Sequence, residues 1–223
     1  FIYEVVSGKR RIAVPDQMTI AVLSPDILRY QKALLMLRIL DLLGNKARGR
    51  IHLQKCMFAA ECLLNIPFQT QYIRYDHGPY DLHLADYETV LCDSGWFNIQ
   101  KGSHVTYQKS RHFAEGLKEY MNVFSDIDEK LKHIVAFLKP MKTTQAERVA
   151  TLLAAWNDFI IDGISHPTDK EIINEVMSNW TPNKANPQYS TWQDTLTKIR
   201  KNRFIPSGFG IHTLKKEVLL QEE

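Results

Sequence analysis

Between residues 76 and 81 the chain reads Asp-His-Gly-Pro-Tyr-Asp, and this hexapeptide constrains the fold more tightly than any other segment. Gly78 permits a bend that a side chain would oppose, and Pro79 brings a preset φ and no amide proton. Proline at a first helical turn, followed by the acid Asp81, predicts a helix start at this point, with Asp81 complementing the helix dipole. Upstream, Phe68-Gln-Thr-Gln-Tyr-Ile-Arg-Tyr75 alternates loosely and predicts a strand. The hexapeptide therefore reads as a turn between a strand and a helix. A reactive Asp76–His77 pair is the competing reading, and the Gly-Pro that follows favours the turn.

On both sides of this turn the apolar spacing is helical. Ser24 as N-cap and Pro25 at the first helical position open a helix whose face is Leu28, Ala33, Leu34, Leu37, Leu40 and Leu43, stopped by Gly44-Asn45. Arg50 to Leu64 is a second helix, joined to the first as a helix-turn-helix-like hairpin. After the helix expected from residue 81 to Ser94-Gly95, Trp96–Ile99 and Val105–Tyr107 flank Lys101-Gly-Ser as a β-hairpin. The second half predicts one or two helices over 112–138, broken by Pro140. A strong helix capped by Thr143/Thr144 follows, then helices at 172–180 and 191–201, and a turn or small wing at 204–211. The expected class is mostly α with small β-hairpins (α+β), arranged as two winged-helix-like helical lobes. Its divisions are a connector or N-terminal tail at 1–25, a first lobe at 26–111, a second at 112–212 and a C-terminal tail at 213–223.

Composition excludes several classes. At 44% hydrophobic and 24% charged the chain has the make-up of a folded protein, so extensive disorder is not expected. With 28 basic against 25 acidic residues there is no whole-surface field, so nucleic-acid binding requires local patches. Cys56, Cys62 and Cys92 are too few and scattered for a disulfide framework or a four-ligand zinc site; buried thiols at Cys56 and Cys62 and a reducing, cytoplasmic setting are expected. No apolar run reaches the ~18 residues of a membrane span, and the chain opens at Phe1 without a signal pattern, as a fragment of a longer polypeptide would.

No nucleophile elbow, phosphate loop, zinc-protease or dinucleotide motif occurs, so neither an enzyme nor a cofactor is expected. His77, His83 and His104 lack companion ligands at metal-site spacing. The sharper candidates are basic. Arg48, Arg50 and Lys55 flank the start of the second helix, where a recognition helix would meet phosphates. Lys198, Arg200, Lys201 and Arg203 lie within six residues, with Lys184 upstream, and suit phosphate or an acidic partner. The alternative for this second set is a solvated helix end favoured by its own dipole. Trp156, Trp180 and Trp192 are expected to pack cores or interfaces rather than stack on bases.

Gly49-Arg-Ile-His-Leu-Gln-Lys-Cys-Met-Phe-Ala-Ala-Glu61, Tyr75-Asp-His-Gly-Pro-Tyr-Asp81 and Ser94-Gly-Trp-Phe97 together resemble an accessory module of bacterial defence proteins. The second half looks like the same architecture at Gln145–Asp158, Pro167–Ile173, Asn179-Trp180, Lys184 and Ile205–Gly210. The module is similar to C-terminal extensions of type I restriction-modification specificity subunits. More distantly, it resembles the C-terminal region of macrodomain antitoxins that reverse DNA ADP-ribosylation. The resemblance implies a non-catalytic protein-interaction or assembly module, with restriction-modification or toxin subunits as partners. Direct binding of double-stranded DNA by basic helix ends is the alternative.

Overall fold

The computed structural model describes residues 24–44, 49–102 and 105–215. It is mostly α-helical, with one two-stranded and one three-stranded sheet. Helix α1 spans Pro25–Leu43 and begins where expected: Ser24 Oγ accepts the Ile27 amide at 3.4 Å, and Gly44 ends the helix at φ 67°. Helix α2 covers Gly49–Leu64, and α3 covers Leu84–Asp93. Strands β1 (Ile73–Tyr75) and β2 (Gly78–Tyr80) lie between α2 and α3. The hairpin β3 (Phe97–Lys101) and β4 (Val105–Lys109) forms in the expected place, with Phe97 opposite Lys109 and Lys101 opposite Val105. Helices α4 (Phe113–Phe124), α5 (Asp128–Leu138), α6 (Thr143–Ile161), α7 (Asp169–Asn179) and α8 (Tyr189–Lys201) follow, and β5 (Leu214–Lys215) ends the described chain. Among the described residues no helix is long and apolar enough to cross a membrane.

The hexapeptide behaves differently from its expected role. Asp76 and His77 form the turn of a β-hairpin, Gly78–Tyr80 is its second strand, and the helix waits until Leu84. Pro79 is tolerated there because β2 is an edge strand, where its missing amide proton breaks no ladder. Gly78 sits at φ 85°, and a Cβ on it would come within 2.7 Å of Thr151 Oγ1 on α6, so the strand can approach that helix only without a side chain. The strand expected over 68–75 shortens to its last three residues because Phe68 and Tyr72 turn into the core against Phe124 and Phe58.

The two expected lobes are not separate. Helices α1, α2 and α6 are each buried around much of their circumference: Lys32–Leu37, His52–Cys62 and Val149–Asp158 are continuous buried runs. Helices apolar on several faces must be surrounded. Accordingly α2 packs on α6, and α1 on α4 and α5, across the expected 111/112 boundary, in one continuous core. Gly116 of α4 admits this approach, since a Cβ there would lie 2.5 Å from Leu37 and 2.7 Å from Trp96. Cys56 and Cys62 are buried free thiols within this core.

The second half has no wing among its described residues. Instead, Phe204–Ile211 is irregular and held by Asn157, whose amide donates to the Phe209 carbonyl at 3.0 Å and accepts from the Gly208 amide at 3.0 Å. Nor does residue 213 begin a tail. Thr213 is buried, and Leu214–Lys215 pairs in parallel with Ile73–Arg74, so segments far apart in sequence meet in one sheet. The tail assigned to 1–25 falls outside the described residues up to residue 23, and its last member, Pro25, is helical.

Candidate functional site

Several polar and charged side chains are directed inward, and the first cluster they form joins Gln54, Lys55 and Glu61 of α2 to the 76–81 hexapeptide. Gln54 of α2 brackets Asp81, its Nε2 donating to the Asp81 carbonyl at 2.9 Å and its Oε1 accepting the Asp81 amide at 2.8 Å. One residue on, Lys55 Nζ donates to the Pro79 carbonyl at 2.7 Å. Lys32 of α1 reaches the Asp81 carboxylate at 2.9 Å, the Tyr87 hydroxyl at 3.0 Å and Glu61 at 3.7 Å. Tyr72 and Thr70 both donate to Glu61. Burial raises the Glu61 carboxyl, and Lys32 with the two hydroxyls opposes that rise. The motif residues thus form a polar clamp fastening the β1–β2 hairpin to α1 and α2.

A second cluster closes the chain. The Arg74 guanidinium donates to Asp158 at 3.0 Å, to Glu175 at 2.7 Å and to Thr213 Oγ1 at 2.9 Å, beneath the Trp180 ring. Asp158 also accepts the Thr213 amide at 3.0 Å. Burial pushes the Asp158 carboxyl up, against the hydrogen bonds from Thr213 and the nearby His212 and Arg74 charges. His77 is half exposed at the hairpin turn, with Nδ1 3.2 Å from Glu147.

The basic candidates divide sharply. Arg48 lies outside the described residues. Lys55 and Lys184 are buried, 1% and 2% exposed, and this corrects their reading as phosphate contacts: Lys55 holds Pro79, and Lys184 pairs with Glu147. Burial lowers both ammonium groups, Lys55 to about 7. Arg50 binds Glu88 through both carboxylate oxygens, and Tyr107 shares that carboxylate, so Arg50 braces the β3–β4 hairpin. Arg200 donates to Asp169 at 2.9 Å and lies 4.2 Å over the Trp156 ring. Lys198, Lys201 and Arg203 are exposed, with no ion pair among the described residues. Trp156 and Trp192 are core side chains, as expected.

Lys55 carries a pH consequence. Its depressed folded value means the unfolded chain holds one more proton between about 7 and the ordinary lysine value of 10.5. Its contribution to stability is complete above that range and is lost progressively as pH falls to about 7. Urea unfolding should therefore show stability rising with pH across this window by at most about 1.4 kcal/mol per unit from this group. Lys55→Met should flatten that slope; an unchanged slope would assign it elsewhere.

One surface depression stands apart from these satisfied clusters. A groove of about 510 Å³ runs between the end of α2, α5 and the turn after α8. Leu63, Leu64, Ile134 and Phe204 line its floor, and Ile205 stands at its edge 58% exposed. Lys130, His133 and Arg203 rim it, and the one acid there, Glu129, is engaged by Lys132. Of its lining residues, sequence reading singled out only Arg203, because the groove is assembled from three segments. The available signal was Phe204-Ile-Pro, an apolar pair outside any periodic element.

No protein-family model, curated protein or solved structure matches this chain.

Proposed function

We propose that the chain is a non-catalytic protein-interaction or assembly module of a bacterial restriction-modification or related antiphage system. The groove beside Ile205 is the observation that carries this reading. It combines an apolar floor with a basic rim, the combination that receives an apolar segment bearing acidic side chains from a partner subunit. The ordered defence-module motifs support the choice of partner class. Inward commitment of Lys32, Lys55, Glu61, Asp81, Arg74 and Asp158 to one another supports a scaffolding role for those side chains.

Copurification from the native host at low salt is expected to recover restriction, modification or toxin subunits. Ile205→Asp should weaken that association at least about tenfold, because an exposed apolar anchor would become a charge. The exposed position of Ile205 keeps folding out of the comparison. Recovery of no such subunit, or equal recovery by the variant, would overturn the reading. A second reading, direct DNA binding, is favoured by the exposed Lys198, Lys201 and Arg203, which form no ion pair among the described residues. Binding of the same preparation to duplex DNA that weakens steeply with salt would select it instead.

A further inference from the structure

A small cleft between α6 and α8, which shares no lining residue with the groove, is lined by Met141, Gln145, Arg148, Val149, Thr195 and Lys198. Its volume is about 40 Å³, room for a few water molecules or one small oxyanion. Arg148 is partly buried, and its Nε is sealed from solvent with no hydrogen-bond partner among the described residues. Nor does its guanidinium form an ion pair among them, although most interior arginines in this chain are bound to carboxylates. Leaving a buried charged donor unmet is costly, so such an atom marks a place where an acceptor belongs.

The other lining groups have the same sense. Lys198 is exposed at the cleft and unpaired among the described residues, even though Asp194 lies one helical turn before it. Gln145 Oε1 accepts the Lys142 amide at 2.9 Å, which leaves its Nε2 as a donor. No carboxylate lines the cleft, and the adjacent Glu147 is occupied by Lys184 and His77. Two cationic residues and one amide-bearing residue therefore line a space of anion size, with no acid among them. We infer that this cleft is a binding site for a tetrahedral oxyanion of the phosphate class, held between Arg148 and Lys198. The inference rests on neither reading above; a free phosphate group and a nucleic-acid backbone offer the same chemistry.

Sodium phosphate titrated at constant ionic strength, with chloride as the replaced anion, tests it by NMR of the arginine side-chain Nε–Hε groups. The Arg148 signal should shift saturably with phosphate. Lys198→Gln should weaken the apparent affinity roughly tenfold, the loss of one charged hydrogen bond. Lys201→Gln, on the same helix but not lining the cleft, should leave it unchanged; both lysines are exposed, so neither variant threatens the fold. A shift that fails to saturate, that chloride reproduces, or that Lys198→Gln and Lys201→Gln affect alike would overturn the assignment. Where phosphate binds, a short duplex DNA that displaces it identifies a backbone phosphate as the source. Absence of displacement identifies a free phosphate or monoester.

Discussion

Lys32→Ala is expected to destabilise the protein by about 3–5 kcal/mol, the effect of removing one partner from a buried ion pair. The residue is 4% exposed, and its ammonium lies between the Asp81 and Glu61 carboxylates and over the Tyr87 ring at 4.9 Å. Truncation leaves two acids facing each other in the interior with no cation, and opens a cavity among Phe68, Tyr72 and Tyr87. The loss can be read from the urea midpoint at neutral pH. A cycle with Asp81→Asn separates charge from packing: if charge dominates, Lys32→Ala should cost markedly less once Asp81→Asn is already in place. A loss below about 1 kcal/mol for the single variant would show that water reaches the cluster and screens it.

Arg74→Ala should have a comparable effect, about 3–5 kcal/mol, with a different local signature. The guanidinium joins β1 to α6 through Asp158, to α7 through Glu175 and to the β5 approach through Thr213. Its removal strands the Asp158 carboxylate in the core and loosens the parallel pairing of Ile73–Arg74 with Leu214–Lys215. Amide exchange at Thr213 and Leu214 should then accelerate well beyond the global change, because their hydrogen bonds run to Asp158 and the Tyr72 carbonyl. Arg74→Lys keeps the charge but not the fork, and should fall between wild type and Ala. Uniform acceleration across the chain would contradict the local unhooking of β5.

Several elements were legible because their causes are close in sequence. The helix expected over 172–180 forms as α7, but it starts three residues earlier at Asp169, because Thr168 and Glu171 form a capping box in which each satisfies the other's backbone amide. The β3–β4 hairpin follows from alternation around Lys101-Gly102. Thr143 was less well placed: it is the first residue of α6 rather than its cap, because Gln145 reaches back to the Lys142 amide. The candidate site fared worse. A basic residue in sequence does not reveal whether its charge faces water, and Lys55 and Lys184 look like Lys198 and Lys201 until their partners are known.

The hexapeptide shows where the division falls. Sequence alone determined that residues 76–81 reverse the chain, since a glycine that tolerates positive φ and a proline with no amide proton act within their own few bonds. Only the tertiary structure decided that the reversal is a β-turn followed by an edge strand. The partners that hold it lie elsewhere: Gln54 and Lys55 more than twenty residues upstream, Lys32 farther still, and Thr151 on a helix from the other half of the chain. Sequence likewise determined the mostly helical class, through apolar spacing repeated along α1, α2 and α6. Whether those helices formed two lobes or one core depended on how many of their faces found neighbours, and faces buried on several sides can be satisfied only by packing across the chain.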